Sequence, residues 1–155
     1  MRRWAVRIGL SAVLLAGCLV VLDEGIVYPG TTSLSAEEAA IYEAVFRYQF
    51  LHNASAAQQQ ARAYFLQVDG KNPPPDFLEC FSGHAPPVTK GSRFRLHGTG
   101  GLLFRVDGIK WLDDDHVEVG GGYYEGPLSA SGNTYHVTRK AGVWVVERDV
   151  MWMIS

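Results

Sequence analysis

Residues 117–146 read VEVGGGYYEGPLSASGNTYHVTRKAGVWVV, and this stretch decides the fold. Val117, Val119 and Tyr123 alternate with Glu118 and Tyr124, the period of two that gives a strand one inward and one outward face. Gly120, Gly121 and Gly122 interrupt that alternation and mark a bulge or a close backbone approach. Ser131-Gly132-Asn133 carries turn chemistry, because Gly and Asn tolerate positive φ, and it predicts a chain reversal there. Residues 134–139 alternate again, Tyr135 and Val137 against Thr134, His136 and Thr138. Lys140-Ala141-Gly142 suits a short hairpin connection, and residues 143–147 form the return strand. Val143 and Val145 fall on one face, Trp144 and Val146 on the other. This is the pattern of a strand covered on both sides or of an edge of a second cluster. The whole stretch predicts two or three short strands joined by glycine-bearing turns.

Upstream, Ser35-Ala36-Glu37-Glu38 is a capping box, with Leu34 and Ala39 placed for a hydrophobic staple. It predicts a helix from there to about His52. Ile41, Val45 and Tyr48 recur at helical spacing, with Tyr42, Phe46 and Phe50 beside them, a wide aromatic stripe that faces a core. Residues 62–68 alternate as a strand. Residues 76–81 predict one or two helical turns behind Pro73-Pro74-Pro75, with Phe77, Leu78 and Phe81 turned to the core. Residues 93–96 predict a short strand with Phe94 and Leu96 inward. Residues 102–112 predict the next strand, kinked at Gly108, and Asp113-Asp114-Asp115 turns the chain into Val117. The terminal Val150, Met151, Trp152, Met153 and Ile154 are apolar enough to predict a docked tail.

The first residues carry a different message. Arg2, Arg3 and Arg7 precede an uncharged run at residues 8–22, the length and flank of a secretory hydrophobic region. Within it, Leu15-Ala16-Gly17-Cys18 resembles a bacterial lipoprotein signal, in which Cys18 becomes the lipidated N-terminal residue. The apolar run continues through Leu19-Val20-Val21-Leu22, so an uncleaved membrane anchor and ordinary cleaved secretion remain open beside lipidation. Lipidation or anchoring leaves the remainder outside the cytoplasm by the positive-inside rule. The expected organisation is a targeting segment at 1–22, a linker at 23–33 and one domain at 34–155.

Composition agrees with a folded domain. Charged residues make up 19% and apolar ones 47% of 155 residues, which excludes a disordered chain. With the three leader arginines set aside, eleven basic residues face sixteen acidic ones, a poor match to nucleic acid. Helices followed by runs of strands predict an α+β fold. The expected form is one long N-terminal helix on a curved antiparallel sheet, as in cystatin-like or nuclear-transport-factor-like domains.

Tyr42 to Tyr48 (YEAVFRY), Gly108-Ile109-Lys110-Trp111, Gly121 to Glu125 (GGYYE), Leu128 to Tyr135 (LSASGNTY) and Gly142 to Val146 (GVWVV) resemble a family of small uncharacterised bacterial exported proteins. The resemblance covers most of the chain from Tyr42 onward. It implies an exported, lipoprotein-like α+β domain and supplies no catalytic residue.

Candidate chemistry is sparse. Tyr123, Tyr124 and Glu125 beside Gly126-Pro127 could line the mouth of a curved sheet and take a small polar ligand or a peptide. His136 joins them if the strands pair suitably; with Glu125 or Asp149 it could form an acid–base pair. His116 and Glu118 share a strand face, yet a metal site needs three or four convergent ligands, so no metal or cofactor is expected. Ser129 and Ser131 in LSASG do not make a nucleophile elbow, and neither glycine-rich stretch, residues 98–101 or residues 120–122, carries phosphate-loop residues. Cys80 is expected to be a small buried hydrophobe. The leading expectation is a non-catalytic domain, tethered to the outer side of a bacterial membrane, that binds an envelope protein or small ligand. An enzyme built on His136 is the alternative. An envelope protein with a structural or inhibitory role, acting through its aromatic strands, is the third.

Overall fold

The computed structural model describes residues 32–55, 60–96 and 100–155. The expected targeting segment with Cys18 and most of the expected linker lie outside the described residues. Helix α1 (Ala36–His52) begins at the expected capping box: Ser35 Oγ accepts from the Glu38 backbone N–H at 3.2 Å, and the Ser35 backbone N–H donates to Glu38 Oε2 at 2.8 Å. Two of the orphan N–H groups of the first turn are thereby satisfied. Those hydrogen bonds hold the Glu38 carboxyl below its ordinary range. The helix buries Ile41, Tyr42, Val45, Phe46 and Phe50, as its spacing predicts, and it also buries Gln49.

That stripe packs on a six-stranded sheet of order β2-β1-β3-β4-β5-β6. The strands are β1 (Tyr64–Val68), β2 (Val88–Lys90), β3 (Leu102–Trp111), β4 (His116–Gly126), β5 (Ser129–Lys140) and β6 (Val143–Ile154). β1 runs parallel to both β2 and β3, whereas β3 to β6 form an antiparallel meander. The architecture is therefore α+β with a mostly antiparallel sheet. Helix α2 (Pro75–Glu79) begins on the prolines and lies in the crossover from β1 to β2.

Phe46, fully buried, is ringed by Phe50, Phe77 and Phe81, and Phe50 meets Tyr64 and Phe104 of the sheet. Tilted and edge-on ring pairs of this kind contribute beyond area burial alone. Leu66, Val68, Leu102, Val106, Val117, Val119 and Val137 complete the helix-covered face. At the opposite end Arg139 closes the structure. It bonds Asp115 and Glu37 at 2.9 Å each and lies 5.0 Å over the Trp144 ring.

Several expectations are corrected. Ser131-Gly132-Asn133 is not a turn; it lies within β5, and the reversal falls at Pro127-Leu128. Its polar side chains are satisfied along the strand, since Ser131 Oγ donates to Asn133 Oδ1 at 2.8 Å. A Cβ on Gly132 would lie 2.5 Å from the Trp152 ring, so the glycine makes room for an aromatic side chain. The glycine triplet does not break β4, which runs through it unbroken, so the elements are long hairpin strands. Residues 93–96 are not a strand: Gly91–Arg93 form a 3-10 turn, and the strand is Val88–Lys90 just before it. Phe94 instead meets Phe65 and Tyr124, and Leu96 is exposed. The return strand does not stop at Glu147; it reaches Ile154 and forms the sheet edge. The apolar tail is docked through its backbone, while Val150, Met151, Trp152 and Ile154 stay exposed. Cys80 is exposed because Phe77 and Phe81, four residues apart, take the core side of that turn.

The kink at Gly108 is present as a register shift between Asp107 and Ile109, with Gly108 at φ 64°, a conformation that favours glycine. The last hairpin turns at Ala141 and Gly142, both with positive φ, the geometry of a two-residue connection matched to strand twist.

Candidate functional site

The densest polar group among the described residues lies between the C-terminal half of α1 and strands β4 to β6. Gln49 enters it from a helix position four residues after Val45, on the core-facing stripe, and is 2% exposed. Its Nε2 donates to the Arg105 carbonyl at 3.0 Å and to the Tyr135 hydroxyl at 3.1 Å. Its Oε1 is buried with no hydrogen-bond partner among the described residues. An unsatisfied buried acceptor costs about 1–3 kcal/mol, so its retention wants an explanation. Room for the amide comes from Gly121, where a Cβ would lie 3.0 Å from Nε2.

Beside it, Tyr48 donates its hydroxyl to Asp149 Oδ1 at 2.9 Å, and Asn133 Nδ2 donates to the other oxygen of the same carboxylate. Ser131 donates to Asn133 in turn. Register explains the assembly: Ser131, Asn133, Tyr135 and Asp149 all occupy helix-facing positions on the two last strands. Burial pushes the Tyr135 phenol well above its ordinary value, and burial with the Asp149 hydrogen bond raises Tyr48. Both phenols are therefore neutral donors and acceptors at neutral pH.

A narrow cleft opens onto this group, lined by Gln49, His52, Asn53, Tyr123, Asn133 and Met151 among others. Its free volume of about 10 Å³ is room for one water molecule. The rim is tied down by hydrogen bonds. Asn53 Nδ2 donates to the Gln49 carbonyl at 2.9 Å, capping the helix end, and the Ser55 and Ser129 hydroxyls both donate to Glu125 Oε2, at 2.8 and 2.7 Å.

The four candidate ligand residues separate. Tyr123 lines the cleft from the helix-covered face, whereas Glu125 is outside its lining and accepts from Ser55, next to the lining Ala54. Tyr124 lies on the open face, its ring 6.0 Å from Phe94. His136 is also on the open face, where register places it between Glu118 and Arg148. Its Nδ1 is 3.7 Å from Glu118 Oε1. The pairing of His136 with Asp149 is not formed, because adjacent residues of one strand face opposite ways and Asp149 opposes Tyr135. Glu125 lies at the far end of the hairpin, beyond the Tyr124–Ala130 pair.

The open face has its own shallow groove of about 300 Å³, lined by Asp107, Gly108, Ile109, Lys110, Glu118, Gly120 and Thr134. Lys110 bonds Glu118 at 2.9 Å, which lowers that carboxyl. His116 turns away to Asp113, 2.8 Å distant. Among the described residues no three His, Cys, Asp or Glu side chains converge as metal ligands. Cys80 is not an activated thiol: burial and the nearby Glu43 carboxylate raise its pKa, and His84 Nδ1 is engaged by the Pro86 carbonyl at 2.8 Å.

Gln49, Asn133 and Tyr48 are not recognisable from the sequence as members of one group. The legible signal was Gln49 itself, a polar residue on an otherwise apolar helix stripe. No protein-family model, no curated protein and no solved structure matches the chain.

Proposed function

We propose that the chain is a non-catalytic binding domain, tethered to the outer side of a bacterial membrane through residues 1–22, that takes a small polar group of an envelope ligand or protein at the helix–sheet cleft. The observation that carries this reading is the buried Gln49 Oε1, an acceptor without a partner among the described residues, set in a cleft lined by neutral hydrogen-bonding groups. An acceptor so placed suits a donor such as an amide N–H or a hydroxyl. The cleft groups are fixed by mutual hydrogen bonds, and the histidine considered for catalysis lies on the other face. One long helix on a mostly antiparallel sheet is consistent with a cystatin-like or nuclear-transport-factor-like cone, in which such a mouth is the open end. The fold supports that comparison only by analogy.

Acetamide serves as the probe, presenting its N–H at the mouth of the cleft, whose free volume of about 10 Å³ admits only the tip of a ligand. Titrated against the isotopically labelled protein, a binding probe is expected to shift the side-chain amide resonances of Gln49 and Asn133 saturably, and Gln49→Met, which removes the acceptor at similar size, is expected to abolish the Asn133 response. Perturbations confined to the open-face groove would overturn the reading. The tether is tested by the intact mass of the membrane-bound chain. A product beginning at acylated Cys18, lost in Cys18→Ser, indicates a lipoprotein. An uncleaved, unmodified chain indicates an anchor. A chain recovered wholly soluble removes the tether.

A further inference from the structure

Among the described residues strand β6 is the outer strand of the sheet and is paired on one side only. Ten large apolar residues are strongly exposed among the described residues, and five of them, Val143, Val150, Met151, Trp152 and Ile154, stand on this one strand. Edge strands are normally blunted by prolines or lysines, and β6 contains neither. Its only charges are Glu147, Arg148 and Asp149 at the middle. A long apolar edge of this kind marks a surface for another strand.

The pattern of β6 complements itself. Val146 pairs with Val137 and Arg148 with His136, so Glu147 is an extra residue, a bulge. Val145 and Val150 are five positions apart and would face opposite ways on a regular strand. The bulge brings them to one face, since they oppose Thr138 and Thr134. Trp152 lies on that face too, over Gly132. Trp144 and Met151 share the helix-covered face, opposing Arg139 and Asn133.

We propose that β6 is a homodimerisation edge, two copies pairing β6 to β6 antiparallel about a twofold axis, with Glu147 of each copy opposite Arg148 of the other. In this register Val145 opposes Val150 and Val143 opposes Trp152 on the open face, while Trp144 opposes Met151 on the other. Both strands carry the same extra residue beside the axis, so faces match on either side of it. A twofold contact repeats each complementary pair. Charge complementarity selects the register: Arg148 lies within 4 Å of no carboxylate among the described residues, though its charge acts on Glu118, and Glu147, held on its own chain by Lys140 and by a hydrogen bond with Thr138, is the carboxylate it would meet. The inference does not rest on the cleft, although Met151 borders both.

The test uses the full chain in bacterial membranes, in a Cys18→Ser, Cys80→Ser background. Val145→Cys with Val150→Cys is expected to give a covalent dimer on mild oxidation. The two sites are about 17 Å apart within one strand, too far for a disulfide inside one chain, so any bridge joins two copies. Val145→Cys alone is out of register with itself and is expected to give little. Added to the cysteine pair, Glu147→Arg is expected to lose the dimer, and Glu147→Arg with Arg148→Glu to regain it. Equal crosslinking by the single and paired cysteines would overturn the proposal, as would a protein that stays monomeric because another segment or protein covers the edge. Failure of the double charge swap to restore the dimer, in a chain that keeps its thermal unfolding transition, would overturn it too. Should Glu147→Arg fail to fold, the cysteine pair against the single cysteine decides.

Discussion

Gly121→Ala tests the packing of α1 against the sheet at its tightest point. A methyl at this position would lie 2.5 Å from the Arg105 carbonyl oxygen, 3.0 Å from Gln49 Nε2 and 3.3 Å from the Tyr135 ring. The first contact is about 0.9 Å inside ordinary van der Waals distance, and it is against backbone of the neighbouring strand. Relief therefore requires β3 and β4 to part or Gln49 to withdraw. Forcing a methyl into a packed site costs about 1–3 kcal/mol. Withdrawal of the Gln49 amide would add the loss of two hydrogen bonds, about 1 kcal/mol each. Against this, replacing glycine restricts the unfolded chain and returns about 0.4–1 kcal/mol. The net expectation is a destabilisation of about 2–4 kcal/mol, a large share of the ~5–15 kcal/mol that holds a typical domain together. Equilibrium unfolding in urea measures it as a lower midpoint at unchanged slope. Gly142→Ala is the comparison: φ is 80° but no atom lies within 4 Å of its Cβ, so it is expected to lose only about 1 kcal/mol from the left-handed conformation. A Gly121→Ala change below about 0.5 kcal/mol, the scale of an ordinary surface substitution, would refute the packing argument.

Alkali should unfold the protein through its phenols. Burial raises Tyr42 and Tyr135 far above the 10.0 of a free phenol. A raised folded pKa gives stability that is complete below the unfolded value and is lost as pH climbs from there towards the folded value. Stability is therefore expected to fall above about pH 10, with the ultraviolet signal of these two phenolates appearing only as the fold melts; their free titration in the folded state would contradict this. Ser35→Ala is expected to cost about 1 kcal/mol by removing the helix cap; the Glu38 carboxyl keeps the backbone N–H of residue 35, its larger support, and loses only the hydroxyl, so by NMR it should move only part of the way towards an ordinary glutamate. A Glu38 titration that returns fully to the ordinary value would show that the backbone bond does not hold it.

What could be read from the sequence follows from how local each signal is. The α1 cap and stripe are set by residues within one helix, and the helix forms where Ser35, Glu38 and the aromatic positions place it. Lys140-Ala141-Gly142 is likewise a self-contained turn signal. Ser131-Gly132-Asn133 misled because its polar residues are satisfied across the sheet, Asn133 by Asp149 of the next strand, which no local rule can see. Val88–Lys90 was hidden because three residues behind Pro86-Pro87 have no periodicity to measure, and their strand exists only because β1 offers an edge. For the candidate site, Tyr123 lines the cleft and Glu125 does not. The face of His136 could not be read from the sequence, since a strand's face depends on register and the bulges at Tyr124 and His136 shift it. Gln49 was visible as a polar residue among aromatics, but its role requires Gly121, far off in sequence.

Strand β1 sits between β2 and β3, parallel to both, and Tyr64 pairs with Val88 on one side and Leu102 on the other. Each of its ladders must close a long loop before it gains a bond, whereas β3 to β6 close through tight turns. Loop-closure entropy therefore favours early zipping of the C-terminal meander, with the N-terminal strand and its helix captured last. For a chain delivered N-terminus first, the segment that emerges earliest is the one that must wait longest for its partners. Until Leu102 and its neighbours arrive, the apolar stripe from Ile41 to Phe50 has no sheet to cover it, and that interval is when the chain is most exposed to proteases and to association with other unfolded chains.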